Sequence, residues 1–313
     1  MSRARTTVVP VALATLLLAG CSDAGKQPVN GAAVASGDPD ACPGEVVDVV
    51  VSVGQWGDVV RQVAGDCANV TTIVASGTVD PHDFEAGTAD LVAFSDTDLV
   101  VVNGAGYDHW AEDAVATLDP EPVLLRAADL VAEPAGDADP HLWYEPEVVH
   151  AMGPAVADAL TEVSPDVADY VQERAAAWQS DLRRYTDAVL ALGSAVSGRT
   201  YAATETVFDR TAAAVGLVNV TPEGYRRAVS NDSEPAPGEL AAFETALADG
   251  SVDVLIYNTQ TSGSVPERLR AAAEDAGVPV VEVTESPSDG NGSFVAWQLA
   301  QLSALSDALS GTP

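Results

Sequence analysis

The chain has 313 residues, 47% of them hydrophobic, and a formal net charge of −33. This much negative charge repels nucleic acid and anionic lipid surfaces, which argues against DNA, RNA or heparin as a partner. A chain of this length and apolar content can bury a substantial core, and we expect it to divide into two lobes.

The first 20 residues have the charge order of an export signal. Arg3 and Arg5 precede an apolar run from Val8 to Leu18, which is too short to span a bilayer. The run ends in Leu-Ala-Gly-Cys at Cys21, which resembles a bacterial lipobox, where the cysteine becomes the lipidated first residue of the mature chain. We predict a lipoprotein signal peptide at 1–20 and a lipid anchor at Cys21. An ordinary signal with an incidental cysteine is the alternative.

The segment 21–44 is rich in small and polar residues and poor in large apolar side chains, so we predict a flexible tether. Apart from the anchor cysteine, the chain contains Cys42 and Cys67, an even pair in an oxidising compartment. This predicts a disulfide between them. Metal binding by the pair is the weaker interpretation, because neither cysteine has a Cys-x-x-Cys spacing or an adjacent histidine.

Beyond the tether, apolar β-branched runs alternate with segments of helical periodicity. In the first half, strands are predicted at 46–53, 70–75 and 99–103, and helices at 54–64 and 89–95. In the second half, strands are predicted at 200–203, 217–220, 252–257 and 278–283, and helices at 205–215, 237–248, 265–276 and 294–309. This alternation is typical of α/β lobes with mainly parallel sheets.

A long helical pattern separates the two halves. From Val167 to Leu192, apolar residues recur at intervals of three and four, and glycines follow at Gly193 and Gly198. We predict an N-terminal lobe at 45–163, one stiff connecting helix at 164–196 and a C-terminal lobe at 197–313. A helix–turn–helix pair within one lobe is the alternative that the sequence leaves open.

The chain has four histidines, at His82, His109, His141 and His150. Two of them close the same tripeptide, Asp-Pro-His, at Asp80–His82 and Asp139–His141. Each tripeptide follows a strand-like run, where α/β sheets place binding residues. Asp-Pro can also begin a helix, so a single motif would have little weight, but the repetition favours a binding site. We interpret His109 as a residue of the surface or a pocket rim and His150 as an ordinary residue of a helix face.

With their neighbours, the two motifs resemble the histidine segments of the cluster A-I (TroA/ZnuA-like) metal-binding proteins of ABC importers. The resemblance includes the Gly54-Gln55-Trp56 helix start, the run Asp98–Gly104 and Trp110, and it extends over residues 45–311. It implies a solute-binding protein that captures zinc or manganese and delivers it to an ABC permease. The metal site is then expected in the cleft between the lobes.

The resemblance also implies ligands in the C-terminal lobe. The third ligand falls on Glu205, which without the resemblance could equally be an acidic residue in the first turn of a helix. The fourth is an acid after the last strand, for which Glu285 is favoured over Glu282 and Asp289. The implied ligand set is His82, His141, Glu205 and Glu285. Asp80 and Asp139 are expected to hold the tautomers of the two imidazoles.

Two imidazoles and two carboxylates neutralise a divalent ion without selecting one metal. Zinc binds most such sites more tightly than manganese, whereas added carboxylates favour harder ions. The family tends to pair a glutamate in the third position with manganese. The histidine-rich loop of many zinc members is missing, since no histidine lies between His82 and His109. Zinc and manganese therefore both stay open.

Two other classes of function are alternatives. An envelope-anchored zinc hydrolase would need an open coordination position and a general base, but neither His-Glu-x-x-His nor Gly-x-Ser-x-Gly occurs. A siderophore- or corrinoid-binding protein would need a wide cleft lined with aromatic or basic residues, but the chain has 5% aromatic residues and 14 Lys plus Arg. We expect a monomeric, non-enzymatic binding protein, lipid-anchored on the extracytoplasmic face of the cell membrane.

Overall fold

The structure is a computed structural model that describes residues 32–75, 84–131, 139–231, 233–261, 263–287 and 293–311. The predicted signal peptide and four residues singled out above lie outside these ranges: Cys21, Asp80, His82 and Asp289. Among the residues it describes, no helix has both the length and the apolar character needed to cross a membrane.

The N-terminal lobe is built on a sheet with the strand order β1-β3-β2-β4-β5. Its strands are β1 (Ala33–Ala35), β2 (Val47–Val53), β3 (Ala68–Val74), β4 (Leu99–Val102) and β5 (Val123–Arg126). Its helices are α1 (Gly54–Ala64), α2 (Thr88–Val92), α3 (His109–Val115) and α4 (Pro146–Val163). Strands β2 to β5 are parallel, and the apolar central strands β2 and β4 are buried on both faces, as a parallel sheet covered by helices requires.

A single long helix joins the lobes. Helix α5 (Ala168–Val196) has 29 residues and follows a 3₁₀ turn at Pro165–Val167. Its buried residues form the predicted stripe at intervals of three and four: Val171, Ala175, Trp178, Leu182, Tyr185, Val189, Leu192 and Val196. The connection is therefore the single helix that the periodicity predicted, not a helix pair.

The C-terminal lobe repeats the architecture with the strand order β7-β6-β8-β9, all parallel. Its strands are β6 (Thr200–Ala203), β7 (Val218–Asn219), β8 (Val254–Asn258) and β9 (Val280–Val283). Its helices are α6 (Asp209–Ala214), α7 (Glu223–Val229), α8 (Pro237–Ala248), α9 (Ser264–Ala276) and α10 (Phe294–Ser310). The predicted α/β fold with two mainly parallel sheets is confirmed.

Part of the segment expected to be a tether belongs to the N-terminal lobe. Strand β1 pairs antiparallel with β3, with Ala33 opposite Thr72. The main-chain nitrogen of Gly37 donates to Asn69 Oδ1 at 3.1 Å, and Cys42 forms a disulfide with Cys67. The prediction of a tether over all of 21–44 is therefore wrong for its second part. Composition missed it because strand pairing uses main-chain hydrogen bonds and needs no large apolar side chain.

The last helix returns to the N-terminal lobe. Asp58 of α1 accepts a hydrogen bond from the main-chain nitrogen of Phe294, the first residue of α10, at 2.7 Å. The ring of Phe294 stacks on Trp56, with centroids 6.1 Å apart, and meets Trp178 of α5 edge-on at 5.9 Å. Helices α1, α5 and α10 thus form one packed seam, which holds the lobes together in addition to the connecting helix.

Candidate metal centre

The carboxyl ends of the two sheets supply the candidate site. Tyr107 follows β4, Glu205 follows β6 and Glu285 follows β9. The hydroxyl of Tyr107 donates to Glu285 Oε2 at 2.9 Å and so joins the two strand ends across the lobes. Ligands of open α/β sheets bind at such carboxyl ends, where helices and loops leave a crevice.

Asp139 orients His141. Its Oδ1 lies 2.6 Å from His141 Nδ1 and also accepts the main-chain N–H of His141 at 3.0 Å. If Nδ1 carries the proton, Nε2 of the neutral ring keeps its lone pair for a metal ion. The side chain of His141 is 5% exposed, and its Nε2 faces Glu285 Oε2 at 3.8 Å.

The carboxyl group of Asp139 is ionised where it contacts His141. Burial by itself would raise the pKa of its carboxyl group, but the hydrogen bonds from His141 and the positive charge of Arg210 bring that pKa below its usual value. An ionised Asp139 favours the proton on Nδ1 of the ring. This contact supports the role expected for Asp139, which stays a prediction.

Aromatic rings enclose the imidazole. Trp143 meets His141 edge-on with centroids 5.4 Å apart, and Tyr107 does so at 6.3 Å. Trp143 is fully buried and Tyr107 nearly so. The low local dielectric that these rings create strengthens electrostatic interactions at Nε2.

One amide group connects the two candidate carboxylates. Asn258 Nδ2 donates to Glu205 Oε2 at 2.5 Å and to Glu285 Oε1 at 2.9 Å. Glu285 and Asn258 are buried, and Glu205 is partly buried. Two carboxylates held by one donor in a buried place repel each other, so a divalent cation would stabilise the pair.

Tyr107 supplies a second donor to Glu285. Burial, followed by the charge of Glu285, raises the pKa of its phenol well above the usual value, so the hydroxyl keeps its proton and donates it. Sequence reasoning missed both Tyr107 and Asn258. The available signals were the position of Asn258 at the end of an apolar strand and the Gly-Ala-Gly sequence before Tyr107.

A left-handed turn delivers Tyr107 to the site. Gly104, Ala105 and Gly106 have φ values of 76°, 53° and 82°. This region suits glycine and is unfavourable for alanine, because the Cβ atom approaches the carbonyl oxygen. Asp108 holds the turn, since its carboxylate accepts the main-chain N–H groups of Asn103 at 2.6 Å and Gly104 at 2.8 Å.

Glu285 faces His141, and Asn258 binds both Glu285 and Glu205, whereas His82 and Asp80 lie outside the described residues. Within the ranges given above, no group of three or more His, Cys, Asp or Glu side chains has an arrangement that could hold a metal ion. The predicted four-ligand site thus stays a prediction, of which three members can be placed.

The other acidic candidates differ in position. Glu282 of β9 is half exposed and pairs with Arg270 of α9 at 2.8 Å, away from Glu285. The alternative interpretation of Glu205 as a first-turn residue of a helix is wrong, because α6 begins only at Asp209. Glu205 lies in the loop between the end of β6 at Ala203 and the start of α6 at Asp209. Val207 and Phe208 of the same loop are buried in the core.

His109 and His150 lie on helices of the N-terminal lobe. His109 is exposed at the first residue of α3. His150 lies on α4 with Nε2 2.9 Å from Thr186 Oγ1 on α5, so it connects two packed helices.

Comparison with known proteins gives one consistent result. Residues 49–308 match the model of the family described as "ZnuA: Zinc-uptake complex component A periplasmic". The zinc-binding lipoprotein AdcA of Streptococcus pneumoniae is 23% identical over 269 residues, 78% of this chain and 52% of AdcA. The manganese-binding lipoprotein MntA of Halalkalibacterium halodurans is 32% identical over 143 residues, 45% of this chain and 47% of MntA. The chain thus spans about half the length of these relatives.

A solved structure shows the same fold. The periplasmic zinc-binding protein TroA of Treponema pallidum superposes with a TM-score of 0.73 at 19% identity, over 84% of this chain and 99% of TroA. Because the family match extends from β2 to α10 and includes the ends of β4, β6 and β9, the chain belongs to the ZnuA family.

Proposed function

We propose that this chain is the extracytoplasmic solute-binding component of an ABC importer and that its cargo is zinc or manganese. The observation that carries the proposal is the meeting of an oriented imidazole, His141, with the buried carboxylate of Glu285 across the two lobes. Asn258 adds Glu205 to the same place. AdcA is a zinc-binding lipoprotein and MntA a manganese-binding lipoprotein, and the similarity to both supports both cargoes.

The proposed ligands are His82, His141, Glu205 and Glu285. Two come from each lobe, so a bound ion connects the lobes and stabilises the folded chain. A ligand that binds only the folded state stabilises it by about 4 kcal/mol at a thousandfold excess over Kd. The packed seam of α1, α5 and α10 favours small movements of loops and slight tilting of the lobes.

This donor set supports binding and release more than catalysis. Imidazole nitrogen suits transition metals, and carboxylate oxygen also suits manganese, so the set accepts both proposed ions. Four protein ligands around the ion would leave no position open for the activated water that a zinc hydrolase needs. We therefore propose a non-enzymatic, monomeric carrier whose partner is a membrane permease.

We further propose that Cys21 is lipidated and holds the protein on the outer face of the cell membrane. The lipobox-like sequence before Cys21 and the lipoprotein names of AdcA and MntA support this. Replacing Cys21 with Ser should move the protein from the membrane fraction to the soluble fraction. A variant that still sediments with membranes would contradict the anchor.

Metal binding tests the central proposal. The protein purified without chelators should contain zinc or manganese, and competition with a chromophoric chelator should give a Kd for each. His141→Ala should weaken binding by well over about tenfold, because outer partners of metal ligands alone are worth about 10–100-fold. His109→Ala, which removes an exposed histidine of the same lobe, is the matched control. Equal affinity of wild type and His141→Ala would refute the site.

A further inference from the structure

Arg210 crosses from the C-terminal lobe to the loop that carries His141. It is the second residue of α6, and its side chain is 8% exposed. Its Nε donates to the main-chain carbonyl oxygen of Asp139 at 3.2 Å, and Nη2 donates to the same oxygen. Its Nη1 lies 3.4 Å from Glu145 Oε2. The guanidinium thus holds both ends of the segment 139–145, which contains His141.

The residue after Arg210 reinforces this contact. Thr211 Oγ1 donates to the main-chain carbonyl of Tyr144 at 2.9 Å, and both residues are buried. Helix α6 therefore binds the 139–145 segment at three points. The same helix begins four residues after Glu205, so a proposed ligand of one lobe and the support of a ligand of the other lobe lie on one short stretch of chain.

The hydrogen bonds made at position 210 require a guanidinium group. A buried positive charge is costly unless it is paired and hydrogen-bonded, and here a carbonyl and a carboxylate fulfil that requirement. The planar guanidinium presents several N–H groups in a fixed plane, so two of them can share one oxygen while a third faces Glu145. A lysine ammonium retains the charge but not this geometry.

Asp139 transmits the contact to the imidazole. Arg210 binds its main-chain oxygen, and its side-chain Oδ1 binds His141 Nδ1 at 2.6 Å. Displacement of the Asp139 main chain would therefore rotate the ring and turn Nε2 away from Glu285. Misplacement of a metal ligand weakens binding even when the ligand itself is intact.

We infer that Arg210 is a positioning residue of the metal site, which fixes His141 from the opposite lobe before the ion arrives. The inference rests on the proposed function, because it assumes that His141 binds the cargo. It predicts that the direction of His141 Nε2 depends on a residue that does not touch the metal. It also predicts that the ligands of the two lobes are aligned together, through α6.

The experiment compares Arg210→Ala and Arg210→Lys with wild type. Arg199→Ala is the matched control, since Arg199 forms a 3.0 Å ion pair with Asp253 in the same lobe, before β6 and therefore at the other end of the sheet. Zinc affinity is measured by chelator competition, and the absorption spectrum of bound Co²⁺ reports the ligand geometry. We expect Arg210→Ala to weaken zinc binding about 10–100-fold and to change the Co²⁺ spectrum. Arg210→Lys should also show the changed Co²⁺ spectrum, whereas Arg199→Ala should keep the zinc affinity and the Co²⁺ spectrum of wild type.

Several results would overturn the inference. If Arg210→Ala lowers only the melting temperature of the metal-free protein and leaves affinity and spectrum unchanged, Arg210 has a merely structural role. If Arg210→Ala does not fold, Arg210→Lys decides the matter, since it keeps the buried charge, and a wild-type spectrum and affinity for this variant would overturn the inference. If wild type itself binds neither zinc nor manganese, the proposed function fails and this inference fails with it.

Discussion

The two halves of the candidate site are held in different ways. In the N-terminal lobe, one imidazole, His141, has a partner of its own, Asp139, which is held by Arg210 in turn. In the C-terminal lobe, Glu205 and Glu285 share a single amide donor, Asn258. The N-terminal half is thus orientated without an ion. The C-terminal half contains two carboxyl groups that share one amide donor, and a bound cation would stabilise such a pair.

Because of this difference, substitutions in the two halves should affect metal affinity and the stability of the metal-free protein differently. A change at the imidazole removes a ligand from a half that is already stable. A change at a carboxylate also relieves repulsion in the metal-free protein, so metal affinity and metal-free stability should move in opposite directions.

The largest effect is expected for Glu285→Gln. Because a buried charged ligand is lost, metal affinity should fall by more than the roughly 10–100-fold typical of outer partners of metal ligands. Since the repulsion with Glu205 disappears, the metal-free protein should melt at a higher temperature than wild type. Metal titration and thermal melts without metal measure the two effects, and Glu282→Gln, an exposed acid on the same strand end, is the control. A lower melting temperature of metal-free Glu285→Gln would contradict the proposed repulsion.

An intermediate effect is expected for Asn258→Ala. The two carboxylates lose their shared donor, which should destabilise the metal-free protein by about 1–3 kcal/mol, the usual range for buried groups left without a partner. Metal should restore part of this loss, so the rise in melting temperature on metal addition should exceed that of wild type at saturating metal. Asn231→Ala, which removes an exposed asparagine that donates to Arg227 O, is the control. An unchanged metal-free melting temperature would show that Asn258 does not hold the carboxylates.

The smallest effect is expected for Asp253→Asn, far from the site. Burial by itself would raise the pKa of Asp253, but hydrogen bonds from Thr200 N at 2.7 Å and Arg199 Nη2 at 3.0 Å lower it below its usual value. A carboxyl group whose pKa is lowered in the folded state contributes stability above its unfolded pKa and loses it as the pH falls through the folded value. Asp253→Asn should therefore lower the free energy of unfolding at pH 7 by less than about 1 kcal/mol, because solvent screens this partly exposed pair, and the loss should shrink below about pH 4.

Chemical denaturation at several pH values measures this effect, and metal affinity near neutral pH should stay at the wild-type level. A loss of metal affinity in Asp253→Asn would contradict this division into two halves, because it would mean that charges outside the site also determine how tightly the metal binds.

Some elements follow from local pattern alone. Helices 54–64 and 237–248 and the strand 200–203 have the bounds that periodicity and flanking residues predicted. Each of these segments has a clear apolar repeat and an evident start or stop signal, and such signals act over a few residues. Strand β1 and the late start of α6 escaped prediction, because the first depends on a distant strand and the second on core packing of Val207 and Phe208.

The sequence by itself determined which kinds of residues are available and where they follow strands: the repeated Asp-Pro-His, the acids Glu205 and Glu285, and the long connecting stripe. The tertiary structure decided which of them meet. Tyr107 contacts Glu285 across 178 positions of sequence, and Arg210 contacts Asp139 across 71. Such contacts leave no local pattern, because they arise from the packing of two lobes, and packing depends on the summed shape of many side chains.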